Sequence, residues 1–168
     1  MNDDTRTAHP ALIHKPAGQA WNLPDYARAC AGFDWAQPRA GLAGLPGGGL
    51  NIAFEALDRH VAAGDGARLA LRWLGKDGEI RDYTCAQLLR EAERFACVLA
   101  RLEVGPGERV AVLAGRIPEL YIAALGALRA GAVLCPLFSA FGPEPVHTRL
   151  EKSGARVLVT TVALYQRK

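Results

Sequence analysis

Beyond residue 50 the apolar positions of the chain follow two rhythms. Arg68 to Leu74 (RLALRWL) alternates apolar and polar residues, the mark of a half-buried strand. Lys76, Asp77 and Gly78 read as a hairpin turn, with Asp-Gly supplying the positive φ angles, and residues 79–83 as the returning strand. Thr84 and Gln87 have capping-box spacing. The helix they open carries Leu88, Ala92, Phe95, Ala96, Leu99 and Leu102 on one face, and Cys97 reads as lying on its buried side. Ahead of the hairpin, Asn51 suits an N-cap, and Ile52, Ala53, Ala56, Leu57 and Val61 recur at helical spacing until Gly64 and Gly66.

From Arg109 onward strands and helices alternate. Short apolar runs at residues 109–114, 132–137 and 156–160 predict strands. Between them lie helical patterns over residues 117–130 and 143–153, stopped by Gly131 and Gly154; Pro118 sits in a first turn, where its missing N–H costs little. Another helix starts at Val162. This order predicts parallel βαβ units: an α/β fold, a mostly parallel open sheet with helices on both faces, plus the β-hairpin. No G-x-G-x-x-G follows any of these strands, which disfavours a dinucleotide-binding domain.

Residues 1–50 are rich in Gly, Pro and Ala and hold no sustained period, so they read as a partly irregular arm. Tyr26, Phe33 and Trp35 are expected to pin that arm down. Leu42 to Leu50 (LAGLPGGGL) is a loop by composition. It lacks the Lys-Ser/Thr that a phosphate-cradling loop needs, so it reads as a connector. Residues 51–168 then read as an incomplete α/β subdomain.

Charge narrows the function classes. Lys and Arg total 20 against 17 Asp and Glu, a net charge of +3. Acidic residues are interleaved with the arginines, leaving no basic stripe for nucleic acid. Cys30, Cys85, Cys97 and Cys135 show no C-x-x-C spacing and read as small buried hydrophobes in a reducing compartment. The opening Met-Asn-Asp-Asp has no secretory character, and the apolar run from Ile117 to Phe138 is broken by Pro118, Glu119, Arg129, Gly131 and Pro136. No membrane span is expected, and the cytoplasm is the default location. His60 reads as a surface or capping residue, Glu119 as a helix-dipole partner and Trp73 as strand packing. Glu144 and His147 lie three apart, but two ligands do not make a metal site. Neither a catalytic pair nor a metal cluster emerges.

Specific runs carry a resemblance. Tyr83 to Leu88 (YTCAQL) and Leu128 to Phe138 (LRAGAVLCPLF) resemble two motifs of the adenylate-forming superfamily: acyl-CoA synthetases, luciferases and peptide-synthetase adenylation domains. Asn51 to His60 (NIAFEALDRH), Arg116 to Tyr121 (RIPELY), Gly131 to Arg149 with the following LEKSGARVLVTT, and Phe33-Asp34-Trp35 resemble the AMP-forming acetyl-CoA synthetases. In order and spacing the match runs nearly from residue 22 to 168, the N-terminal portion of such an enzyme.

The resemblance implies an acetate–CoA ligase that converts acetate, ATP and CoA into acetyl-CoA, AMP and pyrophosphate. ATP, Mg2+ and CoA would serve the complete enzyme, and the loop that grips phosphate, the ribose-binding Asp and the catalytic Lys would fall beyond residue 168. The segment itself is then expected to be inactive, with no catalytic residue and no cofactor of its own. It offers candidate CoA contacts: Phe138, Ser139 and Ala140 beside the pantetheine, and Arg167 near the nucleotide phosphates. A C-terminal remainder is the implied partner. The alternatives are a non-catalytic interaction module on this fold, or a ligase for another short-chain acid.

Overall fold

In the computed structural model, residue 23 and residues 25–167 are described. The reading of the first four residues as non-secretory lies outside them, as does Lys168. The chain divides into two compact units, one ending at Gly41 and the other starting at Leu42.

The first unit contains two short helices, α1 (Tyr26–Ala31) and α2 (Ala36–Ala40). The sequence suggested neither. Asp25 caps α1 by accepting the Arg28 N–H at 2.9 Å. Phe33 and Trp35 meet edge to face at 5.0 Å. The rings expected to anchor this segment are solvent-exposed: Trp35 is 79% exposed and Tyr26 71%.

The second unit opens with a helix capped as expected, Asn51 Oδ1 accepting the N–H groups of Ala53 and Phe54 at 2.9 and 3.1 Å. Its middle, Phe54–Asp58, is wound as a π-turn before α3 (Arg59–Ala62). The wider turn holds Asp58, which accepts from Arg129 Nη1 at 2.6 and 2.7 Å, while Arg129 Nη2 reaches Glu93 at 2.8 Å. The Asp58 hydrogen bond holds the Arg129 guanidinium above its ordinary pKa.

The hairpin forms: β1 (Leu69–Leu74) pairs antiparallel with β2 (Ile80–Thr84), but in its turn Gly78 alone has a positive φ, at 81°, and Asp77 does not as the Asp-Gly reading expected. The capping box also forms, Thr84 Oγ1 accepting the Gln87 N–H and Gln87 Oε1 accepting the Thr84 N–H. It opens α4 (Cys85–Arg101), which buries Cys85, Leu88, Ala92 and Leu99. Two details differ from the sequence reading. Cys97 is exposed, and Leu102, one residue past the helix, is 50% exposed. The buried stripe of α4 is thus narrower than its apolar pattern.

The remaining elements are β3 (Arg109–Leu113), α5 (Pro118–Arg129), β4 (Val133–Leu137), α6 (Pro143–Ser153), β5 (Val157–Thr160) and α7 (Val162–Arg167). The three strands form one parallel sheet in the order β4-β3-β5. Central β3 is buried from Val110 to Leu113. Its alternate side chains serve two cores. Val110 and Val112 pack with Leu99 of α4 and with Ala123 and Ala127 of α5. Ala111 and Leu113 pack with Leu137, Val146 of α6 and Leu164 of α7. The period of two therefore places helices on both faces of the sheet.

Acid should loosen this unit in a defined way. Glu108 accepts the Gly105 N–H and pairs with Arg156, and these contacts hold its carboxyl below the ordinary value of 4.5. Glu55, accepting the Gly44 and Ala43 N–H groups, is lowered likewise. A depressed folded pKa stabilises the fold above the unfolded value, and that contribution is lost as pH falls through the folded value. In urea titrations, Glu108→Gln should therefore lose less stability than the parent between about pH 6 and about pH 3. Equal losses would show that Glu108 contributes nothing to the acid limb.

Candidate functional site

The sheet order decides where a site can form. The step from β3 to β4 runs through α5 on one face, and the step from β4 across β3 to β5 runs through α6 on the other. Two crossovers of the same hand moving in opposite directions must lie on opposite faces. The helices that follow β3 and β5 thus diverge, and a crevice opens at the carboxyl ends of these neighbours, the usual ligand position in open α/β sheets. A cavity of about 290 Å3 lies beside it, on the face of the sheet covered by α6 and α7. Leu113 and Thr160 end the two strands beneath it, Val146, His147 and Leu150 of α6 form one wall, and Tyr165 of α7 lies opposite. Thr160 Oγ1 is buried and has no hydrogen-bond partner among the described residues.

The segment that follows β4 lies at the same end of the parallel sheet. Phe138 is 63% exposed, Ser139 half-buried and Ala140 exposed. The Phe141 N–H closes the loop by donating to the Phe138 carbonyl at 3.0 Å. Arg167 is the last residue of α7 and is exposed. None of these four candidate contacts lines the cavity. They stand on the segments that follow β4 and β5, the two strands flanking β3.

Sequence reading missed the cavity residues because they converge only once the strand order is known. His147, Thr160 and Tyr165 come from three elements and form no motif. The apolar run Val110 to Leu113 marks β3 as a buried strand, but it does not say which strands flank it.

The loop after β3 is braced from the hairpin. Trp73 Nε1 donates to the Arg116 carbonyl at 2.6 Å. The Arg81 guanidinium stacks on the Trp73 ring at 4.3 Å and pairs with Glu119, in the first turn of α5, at 3.2 Å. Trp73, read as strand packing, is thus also a donor to the carboxyl end of β3. Trp73→Phe should cost about 0.5–1.5 kcal/mol in a urea melt, the net worth of one hydrogen bond. A variant as stable as the parent would remove this brace from the account.

The glycine-rich connector does not cradle phosphate here. The Gly48 N–H donates to Leu45 and the Leu45 N–H to Gly49, so these amides turn inward on the loop itself. Among the described residues no group of three His, Cys, Asp or Glu side chains is placed to hold a metal ion. Among the described residues, too, no helix is long and apolar enough to cross a membrane.

A three-stranded parallel sheet with helices packed on both faces defines the described chain as an α/β protein. More particularly, residues 58–168 match the sequence model of the AMP-binding enzymes, and the chain belongs to that family. It is 41% identical over 135 residues to an acetyl-coenzyme A synthetase of Deinococcus radiodurans, covering 80% of this chain and 20% of the relative. It is 40% identical over 149 residues to the Bacillus subtilis acetyl-coenzyme A synthetase, covering 87% and 26%. The crystal structure of Brucella canis acyl-CoA synthetase superposes with a TM-score of 0.78 at 38% identity, over 84% of this chain and 26% of that one. A benzoate CoA ligase from Burkholderia xenovorans LB400 gives a TM-score of 0.61 at 27% identity, over 70% and 23%. The chain thus spans only 20% to 26% of the length of these proteins.

Proposed function

We propose that this chain is part of an AMP-forming acetate–CoA ligase and that it contributes the CoA-facing side of the scaffold rather than the adenylation chemistry. The observation that carries the reading is the 41% identity to an acetyl-coenzyme A synthetase across 80% of the chain. Phe138, Ser139 and Ala140 stand at the carboxyl end of a parallel sheet, where a ligand is reached. Exposed Phe138 offers an apolar wall to a pantetheine arm, and exposed Arg167 a fork of donors to phosphate. Acetate and ATP belong to the complete ligase, whose phosphate-handling residues are not among those described.

A titration of the isotopically labelled chain with CoA tests this. The backbone signals of Phe138, Ser139, Ala140 and Arg167 should move together and saturate. Movement confined to other residues, or none at millimolar CoA, would defeat the assignment of these contacts.

A second reading, an interaction module, draws on one observation. Val162 and Tyr165 of α7 are 73% and 74% exposed, and among the described residues β5 pairs on one side only. Sedimentation that shows a monomer at high concentration would argue against self-association through that edge.

A further inference from the structure

We infer that Arg149, acting through Phe141, is a positioning residue that sets the conformation of the Phe138–Ala140 loop. The inference rests on the reading of that loop as a CoA contact, but the clamp itself is visible in the fold.

Phe141 is held on several sides. It packs against the core formed by Ala111, Leu113, Leu137 and Val146. The Phe138 ring meets it edge to face at 5.5 Å with an interplanar angle of 88°. The Arg149 guanidinium covers it at 4.1 Å from the ring centroid. Arg149 is itself fixed, because its Nη1 donates to the Pro145 carbonyl one turn earlier on α6 at 3.0 Å.

A chain of contacts therefore runs from α6 through Phe141 to Phe138. The backbone bond from the Phe141 N–H to the Phe138 carbonyl closes the loop at the same point. Phe138 is itself 63% exposed, so the Phe141 ring is a main packing partner for it. The planar guanidinium suits this role because it stacks flat while still donating in its own plane. A lysine ammonium does not, so a Lys here is not a conservative change. Arg149 is solvent-exposed, so replacing it leaves the core intact.

Amide hydrogen exchange and CoA titration of the 168-residue chain, its Arg149→Ala variant and its Arg149→Lys variant test the proposal. In both variants exchange at Phe141 should rise about two- to five-fold, the range expected for losing an exposed cation–π contact. Exchange in β3 should not change. CoA binding should weaken by a similar factor, with the melting temperature lowered by at most about a few degrees. Unchanged exchange at Phe141, or a uniform rise that includes β3, overturns the clamp. Full restoration by Lys overturns the stacking argument. If the parent chain binds no CoA while the local rise at Phe141 is present, the CoA reading fails and the clamp stands.

Discussion

Leu99→Ala should destabilise the second unit by about 2–5 kcal/mol, the cost of a cavity in a packed core. Leu99 is fully buried and packs with Val104, Val110, Val112, Ala123 and Ala127, so the hole would open where α4, α5 and β3 meet. That junction has little means of collapse: its neighbours on β3 are fixed by parallel pairing on both sides. Leu102→Ala is the matched control. It deletes the same atoms from a side chain 50% exposed and should stay within about 0.5 kcal/mol of the parent. Urea melts of the two variants decide the matter. Equal losses would mean that Leu102, not Leu99 alone, belongs to the core, as the apolar spacing of α4 suggested.

Gly126→Ala should also destabilise, although alanine is the better helix former by about 1 kcal/mol. A Cβ at this position would stand 2.7 Å from the Ala92 carbonyl oxygen and 2.8 Å from the Phe95 ring. The oxygen belongs to the α4 backbone and cannot rotate away, so the helices must part, at a cost of about 1–3 kcal/mol for overpacking. Gly115→Ala is the control, since a Cβ there meets nothing within 4 Å. Denaturation midpoints should fall for Gly126→Ala and hold for Gly115→Ala. A stabilised Gly126→Ala would show that α4 and α5 are not packed backbone to backbone.

These two sites show why the sequence was readable in one respect and opaque in another. The elements were legible because each rests on local chemistry. The Thr84–Gln87 box, the Asp77-Gly78 turn, Pro118 at its helix start and Gly154 in the left-handed conformation at its helix end each act within a few residues. The strand–helix order from Arg109 onward anticipated helices on both faces, as the structure has them. What stayed hidden depends on partners distant in the chain. The π-turn at Phe54–Asp58 positions Asp58 for Arg129, 71 residues away. Cys97 lies outside the buried stripe of α4, while Gly126 of α5 meets that helix at Ala92 and Phe95. The Phe141–Arg149 stack and the Trp73–Arg116 brace likewise leave no trace in periodicity.

The candidate site was legible only in part. Phe138, Ser139 and Ala140 were singled out by resemblance, and the fold puts them on an accessible loop at the carboxyl end of β4. The cavity beside the ends of β3 and β5 needed the strand order, which no local pattern encodes. Its apolar floor and the Thr160 hydroxyl, unpartnered among the described residues, follow from the register that sets Leu113 beside Thr160.

The division of labour proposed for this chain is tested most directly by acetate-dependent exchange of labelled pyrophosphate into ATP, measured on the purified 168-residue protein. If the chain supplies scaffold and CoA contacts alone, exchange stays at the level of the buffer with or without Mg2+. Exchange that rises with acetate and disappears when the protein is omitted would contradict the account, because residues assigned here to packing would then be handling phosphate.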